Sequence, residues 1–491
     1  MHQVSRPLGL ICSDLFREPF FLFGLGIKIL LIISLMPIIQ ENWFVPFIIN
    51  WIESPFNSPW TSNIDSGGDL LAFPYGITMF IFHLPTTALG WILDQTIEVE
   101  YFANFGFRFS LLLADFLLLI VLIQSYEGLW KKIIIFYWLS PLVLFITYWH
   151  GQIDIIPVAL FLCALILLRR TNLLFSAVFL ALAISAKHSM IIGVPFVLYY
   201  LWSHSGIHKE FQRFILAFIS VLLILELPFF VLESFQLMVI DNPEMEKLYW
   251  LNIPMGINLH IYLTPVVYLI LMYFFWRIRR VNFDLLVASL GVAFSVIILM
   301  TPSSPGWYLW LVPILAIHQS RHGSGAIILI GIFSLLFISY HLVYTTGSSF
   351  ALFEMNFLNI LNMQDSRMQS IHFTILISFG ILIAIQILRE GVRENDYYRL
   401  GNRPLVLGVA GDSGVGKSTF SKGLANIFGE RSLVEVSGDD YHNWDRSSPM
   451  WKTLTHLDPK ANRLFDLVRD VRNLVDGNEV RARQYDHKTG L

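Results

Sequence analysis

The chain has 491 residues, 55% hydrophobic, 15% aromatic and only 14% charged, with a formal net charge of −3 and a mean hydropathy of +0.61. A soluble domain carries roughly 25% charged residues and single cores stop growing near ~250–300 residues, so this composition excludes one soluble globule. The absence of a basic excess argues against a nucleic-acid binder, and two cysteines, Cys12 and Cys163, exclude a disulfide scaffold or a thiolate zinc site. The charge is uneven: of 33 Lys+Arg and 36 Asp+Glu, 16 and 15 fall in 389–491. This predicts a multi-spanning membrane domain over 1–388, a linker over 389–403 and an α/β domain over 404–491.

A helix needs about 20 apolar residues to cross a hydrocarbon core of ~30 Å. Runs of that type begin near 20–40 and continue at 106–124, 133–149, 153–169, 171–187, 189–203, 214–232, 259–276, 283–300, 307–318, 326–345 and 371–388. The expected fold is therefore a polytopic α-helical domain of about 12 spans. The first run is too long for a cleavable signal peptide and no small-residue cleavage site follows it. Arg6, Arg17, Lys131–Lys132, Arg169–Arg170, Lys209, Arg213, Arg277, Arg321, Arg389 and Arg393 fall in alternate loops. By the positive-inside tendency these loops and both termini face the cytoplasm, and 41–72, 233–258 and 346–370 face outside. Segment 73–93 breaks this count. It contains Pro74, Gly76, Pro85 and Gly90, and neither flanking loop holds Lys or Arg. A broken outer hairpin lining a cavity keeps the alternation intact, whereas an ordinary helix would invert everything after it.

Few polar residues occupy the expected outer face. Asp65 and Asp69 sit in Asn-Ile-Asp-Ser-Gly-Gly-Asp, which suits a base or a divalent metal, and equally a solvated turn. Trp149-His-Gly-Gln-Ile-Asp154 places Gln152 and Asp154 between two runs, with Asp154 at a helix head where its charge suits the dipole. Lys187 and His188 close an apolar run on the same face. A lysine there either meets an anion such as a lipid phosphate or snorkels to a headgroup.

The order of these pieces matters: an acidic first outer loop, Phe73-Pro-Tyr-Gly76, Pro141 leading to Gly151-Gln-Ile-Asp154, an Arg-Arg turn, the Lys187 helix, and a late Pro-Gly-Trp-Tyr-Leu-Trp. It resembles the GT-C superfamily of polytopic glycosyltransferases, in the polyprenyl-phosphate-sugar-dependent, mannosyltransferase-like branch. The resemblance covers most of 20–320. It implies sugar transfer from a lipid-phosphate donor at the outer face of a bacterial plasma membrane. Asp65 or Asp69 would be the base, and Lys187, His188, Gln152 and Asp154 would contact the donor.

Beyond the charged linker, Leu405-Val-Leu-Gly-Val-Ala410 reads as a buried-type strand. It enters Gly411-Asp-Ser-Gly-Val-Gly-Lys-Ser418, the G-x-x-x-x-G-K-[S/T] pattern, followed by helix formers from Thr419 to Phe428. In such a loop the backbone of Gly411, Asp412, Ser413, Gly414, Val415 and Gly416 cradles ATP phosphates, Lys417 reaches the β/γ oxygens, and Ser418 ligates Mg2+. A second strand, Leu433–Ser437, leads to Gly438-Asp-Asp-Tyr-His442 and Asp445-Arg446. The carboxyl ends of strands gather ligands in open α/β sheets, so Asp439 and Asp440 face a substrate hydroxyl or the metal.

Ser-Gly-Val-Gly-Lys-Ser-Thr-Phe, Asp-Asp-Tyr-His with Asp-Arg, Leu-Asp-Pro-Lys-Ala-Asn462 and Tyr485-Asp-His-Lys-Thr-Gly490 together resemble the phosphoribulokinase/uridine kinase family. The resemblance implies γ-phosphoryl transfer from Mg-ATP to a hydroxyl of a sugar phosphate or nucleoside. Asp439 or Asp440 would be base or metal ligand, and His442, Arg446, Tyr485 and His487 would bind substrate. It also implies a domain about twice as long as 404–491, so the α/β domain is expected to be partial. Three readings follow: a membrane glycosyltransferase with a kinase-like cytoplasmic domain, a membrane-anchored kinase, and a nucleotide-regulated transporter.

Overall fold

The computed structural model describes residues 8–204, 207–256, 258–278, 281–344, 348–350, 366–395, 404–412, 414–429, 433–455, 457–476, 478–481 and 485. The chain divides into two compact units, Met1–Val392 and Arg393–Leu491, close to the boundary expected from charge.

The first unit is almost wholly helical. Among the described residues five helices are long and apolar enough to cross a membrane: Ile77–Ile97, Phe102–Ser125, His208–Phe230, Gly323–Tyr344 and Ser366–Glu394. A sixth candidate is the pair Glu127–Trp138 and Pro141–Trp149, bent by 40° where Pro141 starts the second piece. Length and composition thus give five or six candidate spans among the described residues, against an expectation of about 12. Six more apolar helices form, including Ile155–Arg169, Leu173–Ala186 and Phe283–Leu299, but each has 10–17 residues. At 1.5 Å per residue a 15-residue helix covers about 22 Å, short of a ~30 Å core. The run at 307–318 is a 3-10 turn, Pro305–Trp310, followed by the short helix Val312–Arg321. Proline and glycine interrupt the regular backbone where hydropathy alone runs on.

Segment 73–93 differs from expectation. No hairpin forms, because Ile77–Ile97 is one continuous helix with Pro85 inside it. The backbone tolerates the proline, and one turn on the Thr87 hydroxyl donates to the His83 carbonyl at 2.8 Å. Gly90 and Gly106 act as packing positions here. A Cβ on Gly90 would collide with the Phe102 carbonyl, and one on Gly106 with the Thr86 carbonyl. The helices Ile77–Ile97 and Phe102–Ser125 therefore approach backbone to backbone, as small residues allow in membrane bundles. Loops 41–72 and 94–105 then lie at opposite ends of that helix. Neither holds a basic residue, so the charge alternation no longer fixes an orientation across it.

The core of this unit carries charge. Lys28 and Asp115, both fully buried, pair at 2.6 Å. The Asp115 carboxylate also accepts from the hydroxyls of Tyr137 (2.7 Å) and Tyr148 (2.6 Å), while the Lys28 ammonium lies 3.2 Å from the Trp138 ring centre. Arg108, about two turns before Asp115, donates to the carbonyls of Leu31, Ile32, Leu35 and Tyr148. It satisfies the open end of the helix Pro19–Ser34, where the last carbonyls lack intrahelical donors. Outward-facing positions are apolar: Leu216, Ile224, Val231, Leu269, Phe274 and Leu335 are each more than half exposed.

Among its described residues the second unit holds two helices, Lys417–Phe428 and Leu464–Val475, and three 3-10 turns, Gly438–Tyr441, Pro449–Lys452 and Pro459–Ala461. The strands expected at Leu405–Ala410 and Leu433–Ser437 have no ladder partner among the described residues. Leu405 is 78% and Val434 73% exposed, so this apolar, buried-type sequence lacks the neighbours that would pair and cover it.

Candidate functional site

Two clusters of polar residues emerge, one in each unit. In the second unit the loop after residues 404–410 turns into the helix Lys417–Phe428. Gly414 and Gly416 hold φ values of +82° and +95°, which an L side chain rarely adopts. A Cβ at either position would meet nothing within 4 Å, so both glycines border open space. The Lys417 ammonium folds back on the loop and donates to the carbonyls of Gly411 (2.7 Å) and Asp412 (2.9 Å). Ser418 and Thr419 stand in the first turn, where backbone N–H groups are unpaired and the dipole favours an anion. The loop thus fits a polyphosphate, with Ser418 placed to hold its Mg2+. Ser413 lies outside the described residues.

The acidic turn Gly438–Tyr441 assigns its two carboxylates differently. Asp440 Oδ1 accepts from the Tyr485 backbone N–H at 2.8 Å, tying the Tyr485 segment to the turn. Asp439, about half exposed, faces the His442 ring, with Nε2 to Oδ1 at 3.5 Å. His442 is nearly enclosed: Trp451 and Tyr485 meet it edge to face at 5.4 Å, and Asn462 Oδ1 lies 2.6 Å from its Nδ1. Tyr441 is buried and donates to Asp470 at 3.1 Å. Burial first, then Asp470, raises its hydroxyl above the ordinary tyrosine value, so it remains a donor. Arg446 is exposed on the following loop, and His487 lies outside the described residues. The expected pair Asp439 and His442 is therefore brought together, with Tyr485 against the same ring. Sequence reading missed the parts played by Asn462 and Trp451. Asn462 was visible only as the last letter of a motif.

The first unit gathers its own polar cluster. Asp154 heads the helix Ile155–Arg169 as expected, but it is fully buried and binds Lys187 and the Trp310 indole N–H (3.0 Å) through Oδ1. The Lys187 ammonium is ringed by Tyr75, Trp310 and Trp307 at 5.1, 5.5 and 6.0 Å. Lys187 is thus half of an internal ion pair, not the lone cation expected to meet a lipid phosphate. His188 Nε2 lies 3.0 Å from Glu226 Oε2, and Gln152 Oε1 and Asp154 Oδ2 converge on Gly306. Glu226 was overlooked, although a single carboxylate inside the apolar run 214–232 is itself a signal. Asp65 and Asp69 are both exposed. Asp65 accepts from Asn57 at 3.4 Å and Asp69 caps the Leu71 N–H at 2.8 Å. Among the described residues no group of three or more His, Cys, Asp or Glu side chains could hold a metal ion, which leaves the expected outer-loop metal without ligands there.

The loop, its helix and the acidic turn define a P-loop nucleotide-binding domain. Residues 406–491 match the Phosphoribulokinase / Uridine kinase family, and this C-terminal domain is kinase-like and of that type. Over 90 residues the chain is 40% identical to a phosphoribulokinase of Synechocystis sp., covering 18% of this chain and 27% of that protein. It is 33% identical over 120 residues to a chloroplastic phosphoribulokinase of Triticum aestivum (21% and 30%), and 34% over 88 residues to a uridine kinase of Clostridium botulinum (17% and 42%). The chain spans less than half the length of each of these relatives, and the family match leaves out the helical unit. No solved structure matches the chain.

Proposed function

We propose that the protein is a membrane-anchored member of the phosphoribulokinase/uridine kinase type, whose C-terminal domain binds Mg-ATP and a hydroxyl-bearing sugar phosphate or nucleoside. The observation that carries this reading is the open P-loop at the head of Lys417–Phe428, together with the match over 406–491. Mg-ATP supplies the phosphoryl group. The chain's own residues position it: loop N–H groups hold the phosphates, Lys417 releases its carbonyl partners to meet them, and Ser418 holds the metal. Asp439 is the carboxylate placed to take a hydroxyl proton, since Asp440 is committed to the Tyr485 backbone. The apolar, outward-facing helices of the first unit support residence in a membrane. The test uses the purified full chain in detergent with a fluorescent ATP analogue and Mg2+, then ribulose 5-phosphate or uridine. Binding is expected, and Lys417→Ala should weaken it at least tenfold. Equal binding by this variant, or none by the wild type, would reject the nucleotide site.

A second reading concerns the helical unit alone: sugar transfer from a polyprenyl-phosphate donor. It is favoured by the gathering of Asp154, Lys187, His188 and Glu226. The helix Pro59–Asp65 approaches this group through Trp60 and Phe235, whose ring lies 6.2 Å from His188. Membranes supplied with labelled polyprenyl-phosphate sugars should consume them, and Asp69→Asn or Asp154→Asn should abolish consumption at unchanged abundance. Full consumption by both variants would remove these residues from the reading.

A further inference from the structure

The segment Leu457–Asn462 folds as a clamp on the segment that carries His442. The two meet in an isolated antiparallel bridge between His442 and Asn462. Asn443 N–H donates to the Ala461 carbonyl at 2.9 Å and Arg463 N–H to the Tyr441 carbonyl at 2.8 Å, one bond on either side of the bridge. The Asn443 amide adds a bond to the Lys460 carbonyl at 3.0 Å. The clamp is itself held, since Asp458 caps the Lys460 N–H at 2.9 Å.

Within this frame the Asn462 side chain has one permitted orientation. Its Nδ2 lies 3.0 Å from the Asp458 carbonyl oxygen, which can only accept. The amide nitrogen must therefore face Asp458, and the amide oxygen must face His442 Nδ1 at 2.6 Å. An amide oxygen cannot donate, so His442 Nδ1 must carry a hydrogen. In the neutral ring this is the Nδ1–H tautomer, with Nε2, 3.5 Å from Asp439 Oδ1, bare; in the charged ring both nitrogens carry a hydrogen. Free imidazole in water prefers its hydrogen on Nε2, so Asn462 imposes the less common form. Trp451 and Tyr485, edge to face on the ring, block its rotation out of that bond.

We propose that Asn462 is a positioning residue that fixes His442 in the Nδ1–H tautomer and so aims Nε2 at the Asp439 side of the turn, where the phosphoryl acceptor binds. The proposal rests on reading the C-terminal domain as a sugar-phosphate or nucleoside kinase. It assigns the asparagine of Leu-Asp-Pro-Lys-Ala-Asn a chemical task in addition to its place in the bridge. Asn462 touches neither nucleotide nor metal; it acts through His442.

Two measurements on the full-length protein in detergent decide it. The first is 15N NMR of histidine-labelled protein at about pH 8, where an ordinary imidazole is neutral, with His442→Gln used to identify the His442 signals by difference. The wild type should show a protonated Nδ1. Asn462→Leu should shift the population toward Nε2–H, while Asn462→Asp, which keeps an acceptor for Nδ1 but loses the bond to the Asp458 carbonyl, should retain the wild-type tautomer. A bare Nδ1 in the wild type, or an unchanged spectrum in Asn462→Leu, overturns the proposal. The second is phosphoryl transfer with ribulose 5-phosphate and with uridine. Asn462→Leu should raise KM for the acceptor about tenfold, the equivalent of one lost hydrogen bond, leave KM for ATP unchanged, and be rescued by Asn462→Asp. An equal loss in both variants, or a rise in KM for ATP, points to a purely structural bridge and overturns it. Absence of transfer in the wild type rejects the kinase reading, while the NMR arm still decides the role of Asn462.

Discussion

Replacing Asp115 by leucine strands three donors at once. The Lys28 ammonium and the Tyr137 and Tyr148 hydroxyls all end on this carboxylate at 2.6–2.7 Å, and both members of the ion pair are fully buried. A buried cation stripped of its partner costs about 3–5 kcal/mol, and each orphaned hydroxyl about 1–3 kcal/mol. The loss is therefore at least about 5 kcal/mol, comparable with the whole stability of many domains. The same reasoning gives an opposite result for a compensated change. Lys28→Met with Asp115→Leu removes charge from both sides, and adding Tyr137→Phe and Tyr148→Phe removes the remaining donors. This quadruple variant should recover most of the loss, because apolar groups of similar volume replace a buried pair at little cost. The assay is thermal survival of the detergent-solubilised full chain on a fluorescence-monitored sizing column. Two results would refute the argument: Asp115→Leu as stable as wild type, or a quadruple variant no better than the single one.

Other expectations follow from the same geometry. Gly106→Leu should abolish the close approach of Ile77–Ile97 and Phe102–Ser125, visible as loss of the monodisperse sizing peak, whereas Gly26→Leu, whose Cβ position is open, should keep it. Tyr441→Phe should destabilise the C-terminal unit by about 1 kcal/mol, because Asp470 Oδ2 loses its donor while Oδ1 keeps Arg469, read as faster proteolysis of that unit in the full chain.

Legibility in the sequence differed sharply between the two halves. The phosphate loop was readable because its chemistry needs contiguous residues: positive φ at Gly414 and Gly416, then Lys417 and Ser418 at a helix head. The apolar runs were readable as runs, but not as spans. Hydropathy does not register that Lys187 is extended (φ −150°) and followed by the 3-10 turn His188–Gly193, so two runs become two short helices. At 73–93 the error ran the other way. Pro85 and Gly90 read as breakers, yet one lies inside the helix and the other is a packing contact against Phe102 and Ala103 at the start of the next helix. The pairings Lys187 with Asp154 and His442 with Asn462 join residues 33 and 20 positions apart, and local pattern holds no record of them. The strands at 405–410 and 433–437 show the converse. Their sequence is of buried type, but strand pairing is a property of neighbours, and none is present among the described residues.

The grip of Arg108 on four carbonyls has a consequence for how such a chain is made. During synthesis into a bilayer, Arg108 and Asp115 arrive on one helix, each costing about 2.5–3.5 kcal/mol to insert at the centre alone. Lys28 and the carbonyls of Leu31, Ile32 and Leu35 were synthesised earlier, while Tyr137 and Tyr148 come later. If the first unit resides in a bilayer, as proposed, Pro19–Ser34 must be at hand when Phe102–Ser125 inserts. Residues 19–34 then act as an escort that supplies the partners of both charges on that helix.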